Sequence, residues 1–182
     1  MREDLQKEIV LSDGVTASLN DSVLTVKGPK GEVSRNFLHP KVAVNVSEGK
    51  ILLLALKATR REKTVTGSFV AHIKNMIKGV QEHHLYKLKI CSGHFPMNVA
   101  VKGQELVVKN FLGESVPRRC ELNPAVQVKI NGTEIVVTSP DKELAGLVAA
   151  RIELLCRITN RDRRIFQDGI YLTEKAGKII GG

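Results

Sequence analysis

Long apolar runs are missing from this chain. The longest, Ile51 to Leu56, is far shorter than the roughly 20 residues a membrane-crossing helix needs, and it reads as a buried strand. The opening residues, Met1-Arg2-Glu3-Asp4, are acidic and carry no apolar stretch of the signal-peptide kind, so a soluble, cytoplasmic protein with no membrane partner is expected. Cysteine is scarce. Cys91, Cys120 and Cys156 stand far apart, and no C-x-x-C pair exists, which argues against a thiolate zinc site. Inert, buried thiols in a reducing compartment are expected instead. Aromatic residues make up only 4% of the chain, too few for a stacked platform that holds single-stranded nucleic acid.

What is present points elsewhere. Hydrophobic residues reach 42% of the 182, enough to bury a core. The net charge is +9, with 13 basic against 9 acidic residues in 1–82 and 15 against 10 in 83–182. A shared basic excess favours polyanionic partners, namely RNA, DNA or an anionic membrane, without choosing among them.

The chain is one unit written twice. Ser22-Val-Leu-Thr-Val-Lys-Gly-Pro-Lys-Gly-Glu32 has its counterpart in Gln104-Glu-Leu-Val-Val-Lys-Asn-Phe-Leu-Gly-Glu114. Leu38-His39-Pro40 followed by Val42, Val44 and Val46 echoes Leu122-Asn123-Pro124 followed by Val126, Val128 and Ile130. In each half a run of alternating strands leads to an amphipathic helix. The first helix is expected from about Thr59 to Lys78. Thr59 and Glu62 form its capping box, Val65, Phe69, Ile73, Met76, Ile77 and Val80 its apolar stripe, and Gly79 its stop. The second is expected to start at Ser139-Pro140-Asp141, with Ser139 as cap and Leu144, Leu147, Val148, Ile152 and Leu155 as stripe. The fold class that follows is α+β: two tandem similar domains, 1–82 and 83–182, each a small, mostly antiparallel sheet packed on one helix.

Catalytic chemistry finds little support. His83 and His84 are adjacent, so on a strand they point to opposite faces and do not meet one metal ion. Cys91 with His94 suggests a nucleophile and base, but that pairing needs a third, orienting group and a pocket. Gly28-Pro29-Lys30-Gly31 joins two strands and lacks the ending of a nucleotide loop, so it is a turn. No metal and no cofactor is expected.

The sharpest local feature follows the second helix. Arg157, Arg161, Arg163 and Arg164 crowd into eight residues, with Asn160 among them and Lys175 and Lys178 beyond. Guanidinium forks suit phosphate oxygens. Phe166 and Tyr171 interleave, and Asp162, Asp168 and Glu174 neutralise part of the charge. Backbone and shape recognition of folded RNA fits this pattern.

Four stretches carry a family resemblance: Val26-Lys-Gly-Pro-Lys-Gly31; Asn75-Met-Ile-Lys-Gly-Val80; His94-Phe-Pro-Met-Asn-Val99 with Asn110-Phe-Leu-Gly-Glu114; and Arg164-Ile-Phe-Gln-Asp-Gly-Ile-Tyr-Leu-Thr-Glu-Lys175. Together they resemble the large-subunit ribosomal protein six family, whose eukaryotic member is numbered nine. The ending Phe166 to Tyr171 resembles its archaeal and eukaryotic branch. The resemblance implies two similar domains, no enzyme activity, and a structural place in the large ribosomal subunit. It also implies binding to large-subunit rRNA near the sarcin–ricin loop, at the base of the stalk, beside other ribosomal proteins and where translation factors dock. Carried onto this chain, it puts rRNA contacts in the second domain, at Arg157, Asn160, Arg161, Arg163, Arg164, Lys175 and Lys178. Gly169 and Tyr171 shape the segment, and His94 and Pro96 mark a nearby loop. Asn75 and Gly79 are expected to close the first helix. A free RNA-binding assembly factor and a small enzyme using Cys91 and His94 are the competing classes.

Overall fold

In the computed structural model, which describes residues 3–47 and 49–180, the chain divides between His83 and His84. That is one residue beyond the expected junction. His83 stays with the first unit, where its Nε2 lies 2.8 Å from the Lys30 carbonyl oxygen.

The first unit runs β1 (Glu3–Val10), β2 (Thr16–Asn20), β3 (Val23–Gly28), β4 (Gly31–Asn36), β5 (Ala43–Ser47), β6 (Lys50–Ala58) and α1 (Arg60–Gln81). The second runs β7 (His84–Cys91), β8 (Asn98–Lys102), β9 (Glu105–Lys109), β10 (Arg118–Glu121), β11 (Gln127–Asn131), β12 (Glu134–Ser139), α2 (Lys142–Leu155), β13 (Gly169–Lys175) and β14 (Lys178–Ile179). The strands of each unit form two antiparallel sheets. Order β1-β6-β5 in the first matches β7-β12-β11 in the second, and β2-β3-β4 matches β8-β9-β10. Strand for strand, the two units repeat one topology. The second then adds β13 and β14 on the outer side of β7.

Alternation explains the strands. β3 buries Leu24 and Val26, β6 buries Ile51, Leu53 and Ala55, and β7 buries Tyr86 and Leu88, each on one face. β1, whose alternation is broken by Gln6-Lys7-Glu8, is not legible from pattern. It is held instead by pairing with β6 from Ile9↔Ile51 to Leu5↔Ala55.

α1 starts as expected. The Glu62 carboxylate accepts from the Thr59 amide at 2.8 Å and from the Thr59 hydroxyl, and Lys41 Nζ lies 3.7 Å away. These hydrogen bonds, chiefly the hydroxyl's, lower the Glu62 pKa to about 2. The helix does not stop at Gly79, however. Gly79 and Asn75 lie inside it, and it ends at Gln81, where Glu82 turns extended and donates its N–H to Lys78 O at 2.8 Å.

The end of α1 is where two of the resembling stretches meet. A Cβ on Gly28 would lie 2.8 Å from both Val80 Cγ2 and Val80 O, and the Lys30 N–H donates to that same oxygen at 2.9 Å. The Gly28–Gly31 turn is therefore a cap over the helix end, and glycine is required there for close approach.

In α2 the N-cap is Asp141, which accepts from the Glu143 N–H at 2.8 Å. Ser139 ends β12 instead, with its buried hydroxyl donating to Ala125 O and accepting from the Asp141 N–H. The buried stripe is Ala145, Val148, Ala149 and Ile152, while Leu147 is exposed. Those four share one helical face, and Leu147, two positions on from Ala145, falls on the other side.

Candidate nucleic-acid interface

The arginine segment is built outward from the end of α2. Arg118 secures that end. Its Nη1 donates to Leu155 O at 2.7 Å, its Nη2 pairs with Glu114 at 2.6 Å, and its guanidinium lies 4.3 Å from the Phe111 ring centroid. This arginine is therefore spent inside the unit. Cys156 follows the helix, buried, with its thiol pushed up to about 12 by that burial. Cys91 and Cys120 are only half-buried, against the expectation of buried thiols, and the partial burial of Cys120 raises its thiol.

Residues 157–168 carry no regular structure, yet they are tied at several points. Asn160 takes the left-handed conformation, at φ 57°. The Asp162 carbonyl accepts from the N–H groups of Ile165 and Phe166. The Asp162 carboxylate accepts from the Arg164 amide at 2.9 Å and grips its guanidinium through Nη2 at 2.7 Å and Nε at 3.1 Å. That pair lowers the Asp162 pKa and raises that of Arg164. Arg161 lies 5.0 Å from the Phe166 ring centroid, within cation–π range.

Asp168 is the hub. It is buried, and its carboxylate accepts from the Gly93 N–H, from the His94 N–H at 3.3 Å, and from His94 Nδ1 at 3.1 Å. The His94 ring packs on Phe166 with centroids 4.9 Å apart. The loop after β7 is thus locked to the segment before β13. Its far side is held as well, by Asn110 Nδ2 donating to Pro96 O at 3.1 Å and by Phe95 packing 3.5 Å from where a Gly113 Cβ would be.

β13 then enters the sheet antiparallel to β7, with Ile170 opposite Ile90 and fully buried. Burying that side chain contributes about 1.5–3 kcal/mol. Gly169 is buried beneath the Tyr171 ring, and a Cβ there would lie 3.1 Å from the ring's Cζ and hydroxyl. The Tyr171 hydroxyl donates to Gln167 O at 3.1 Å. Partial burial raises its pKa. The hairpin to β14 turns at Ala176 and Gly177, both with positive φ, which sets Lys175 opposite Lys178.

The expected site residues fall into three groups. Arg157, Asn160, Arg161, Arg163 and Arg164 are exposed on the segment. His94 and Pro96, also exposed, are joined to it through Asp168, Phe166 and Asn110. Lys175 and Lys178 are exposed at the far end of β13, about 20 Å from Gly169 at strand rise. They are a separate cationic point. Gly169 acts through backbone shape, and Tyr171 is exposed at its side. What residue reading missed is that Asp168 is structural, not a neutralising surface charge. Its place beside Gly169 and the apolar Ile170 was the available signal.

The catalytic alternative gains a third group, since Asp168 orients His94, and a cleft that Cys91 also lines. It still lacks its central contact: among the described residues no hydrogen bond joins Cys91 Sγ to His94. His83 and His84 fall in different units. Among the described residues no three His, Cys, Asp or Glu side chains gather as metal ligands, and no helix is long and apolar enough to cross a membrane.

Fold and surface define a class: a duplicated α+β protein whose second repeat is extended by an arginine-rich segment leading into a strand added at the sheet edge. The family model for Ribosomal protein L6 matches residues 11–83 and again 95–169. Each match begins after the first strand of its unit. Similar proteins are named Large ribosomal subunit protein uL6: that of Nanoarchaeum equitans is 47% identical over 184 residues, covering 97% of this chain and 96% of that protein. Those of Methanosarcina mazei and Methanocella arvoryzae are 43% and 41% identical, each covering 97% of this chain and the whole of the relative. The chain belongs to the ribosomal protein L6 family, and the three relatives just named are archaeal. It is a non-enzymatic family, which removes the Cys91–His94 enzyme from consideration.

Proposed function

We infer that this chain is a structural constituent of the large ribosomal subunit, which it joins in the cytoplasm. It binds large-subunit rRNA near the sarcin–ricin loop and the base of the stalk. Neighbouring ribosomal proteins flank it, translation factors dock nearby, and no cofactor or membrane is involved. The second unit makes the RNA contacts. Arg157, Asn160, Arg161, Arg163 and Arg164 grip phosphates along one stretch, with Lys175 and Lys178 taking a second point. His94, Pro96, Gly169 and Tyr171 set the surface between them.

The observation that carries this reading is the contrast between anchor and head groups. Exposed guanidinium groups project from a segment whose backbone is pinned by buried Asp168 and Ile170. Such cations lose little freedom on meeting a fixed phosphate lattice, which is how a rigid clamp on folded RNA gains affinity. The names of the relatives point the same way.

The test is reconstitution with large-subunit rRNA, followed by backbone cleavage footprinting. Protection at the sarcin–ricin loop and the stalk base is expected, together with retention on large subunits through a salt wash that strips factors. Release in that wash, or protection confined to other regions, refutes the reading.

A further inference from the structure

Tyr171 stands in the walls of two clefts of opposite character. One, about 570 Å³, is lined by Cys91, Ser92, His94, Ile165, Gln167 and Tyr171, with Gly93 and Asp168 also in its wall. The other, about 340 Å³, includes Arg157, Arg163 and Phe166 together with Tyr171, and also Glu153, whose carboxylate accepts from the Leu172 N–H at 3.1 Å. The first lies within the range of about 300–1,000 Å³ typical of small-molecule pockets.

Their chemistry differs in charge. Arg157 and Arg163 are exposed, and among the described residues neither forms an ion pair; two cations against the one Glu153 carboxylate, itself engaged by the Leu172 N–H, leave the second cleft a net positive lining that suits a phosphate. Among the described residues no lysine or arginine lines the first. Its carboxylate, Asp168, is already engaged by Gly93 and His94. What the first cleft offers is two flat rings held in place. His94 is fixed by Asp168 and Phe166, and Tyr171 by Gly169 beneath it and by Gln167 O at 3.1 Å. The Ser92 hydroxyl and the Gln167 amide add donors and acceptors at the rim. Fixed aromatic surface with a few polar groups is the chemistry that takes up an unstacked base.

We propose that this first cleft receives a single extruded nucleobase of the bound RNA, with an adjoining phosphate seated between Arg157 and Arg163. The inference rests on the reading that the chain binds rRNA and adds what the site selects. Bases inside a helix are stacked and cannot enter, so the target is a nucleotide in a loop or bulge. The scarcity of aromatics elsewhere is consistent with one base being held and not a run of them.

The test uses the full chain bound to intact large-subunit rRNA. Ultraviolet cross-linking followed by peptide mass mapping is expected to find a single-nucleotide adduct on Cys91 or Tyr171. Filling the cleft by Ser92→Trp, at an exposed position, should weaken binding by about 5- to 150-fold, the effect of one lost base stack. It should abolish the adduct and leave the salt dependence of binding unchanged. Tyr171→Phe should keep the adduct and Tyr171→Leu lose it, while Arg163→Ala should keep it and reduce the salt dependence. If rRNA binds normally and adducts form only outside the cleft, or if Ser92→Trp binds as the native chain does, the base-capture inference fails and rRNA binding stands. If the native chain does not bind rRNA, both fall together.

Discussion

Arg163 and Arg164 are neighbours in sequence, but their surroundings make them unequal in binding. Arg163 forms no ion pair among the described residues and is exposed. Arg164 is held by Asp162 through three contacts of 2.7–3.1 Å, so its charge is matched before any partner arrives, and only part of its donor edge is free. Each phosphate neutralised by a free cation releases counterions, with a slope of about 0.9 in log K against log salt. Arg163→Ala should therefore lower the magnitude of the slope for rRNA binding by about 0.9. Between 50 and 200 mM salt, that shrinks its affinity deficit relative to the native chain about 3.5-fold. Arg164→Ala alone leaves Asp162 as an unmatched carboxylate facing phosphates and should weaken binding more than Arg163→Ala at low salt. Removing both members of the pair, Asp162→Asn with Arg164→Ala, should restore most of that loss, leaving a slope change less than half that of Arg163→Ala. Filter binding or fluorescence titration over a salt series measures all four proteins. If the double variant loses as much slope as Arg163→Ala, or if Arg163→Ala leaves the slope intact, the distinction between free and matched arginines is wrong.

Three further outcomes follow from the packing. Gly28→Ala drives a methyl into a backbone oxygen as well as a side chain at 2.8 Å, and should destabilise the first unit by about 1–3 kcal/mol in urea unfolding, with the second unit's transition unmoved. The Glu62 carboxyl is held at about 2 against its ordinary 4.5, so its share of stability is complete above the ordinary value and drains away as pH falls toward 2; Glu62→Gln should flatten that stretch of the stability–pH curve. Asp168→Asn puts an amide NH₂ where a carboxylate oxygen accepted from Gly93 or His94, a loss of about 1–3 kcal/mol, seen as faster amide exchange at residues 92–95 with α2 unaffected.

The repeat was legible because both copies kept the same order of turn residues and strand periods, which survive even where identity is weak. The capping box of α1 was legible for a local reason: Thr59 and Glu62 satisfy each other within three residues. Gly79 misled because a glycine near a helix end reads as a stop, whereas here it lies buried within the last turn and the helix runs on to Gln81. Ser139 misled similarly, as both it and Asp141 are good caps and the sheet claims the serine. The division of each unit's strands into two sheets was not legible, since alternation fixes which face is buried but not which strand is the neighbour. At the site, charge was readable and its partners were not. Nothing in the spacing of Arg118, Arg163 and Arg164 says that the first is spent on a helix end, the second is free and the third is matched.

The two units share one topology, yet only one carries the arginine segment, and the difference lies at a sheet edge. β1 is an outer strand of its own sheet and carries exposed Asp4, Lys7 and Glu8, the charges that protect an edge from further pairing. β7 holds the same place in the second unit, but β13 pairs along it. Covering that edge brings Ile170 into the core and leaves the residues leading to it, 157–168, stretched over the surface between two anchors, buried Ile158 and buried Asp168. The basic segment is thus part of the second unit's fold. Truncation before Arg157 would strip Ile158 and Ile170 from the core, about 1.5–3 kcal/mol each, and open the β7 edge. A truncated chain should therefore lose solubility and cooperative unfolding together with RNA binding. If it stayed soluble with an unchanged unfolding midpoint, the segment would be an appendage and its arginines would not be preorganised.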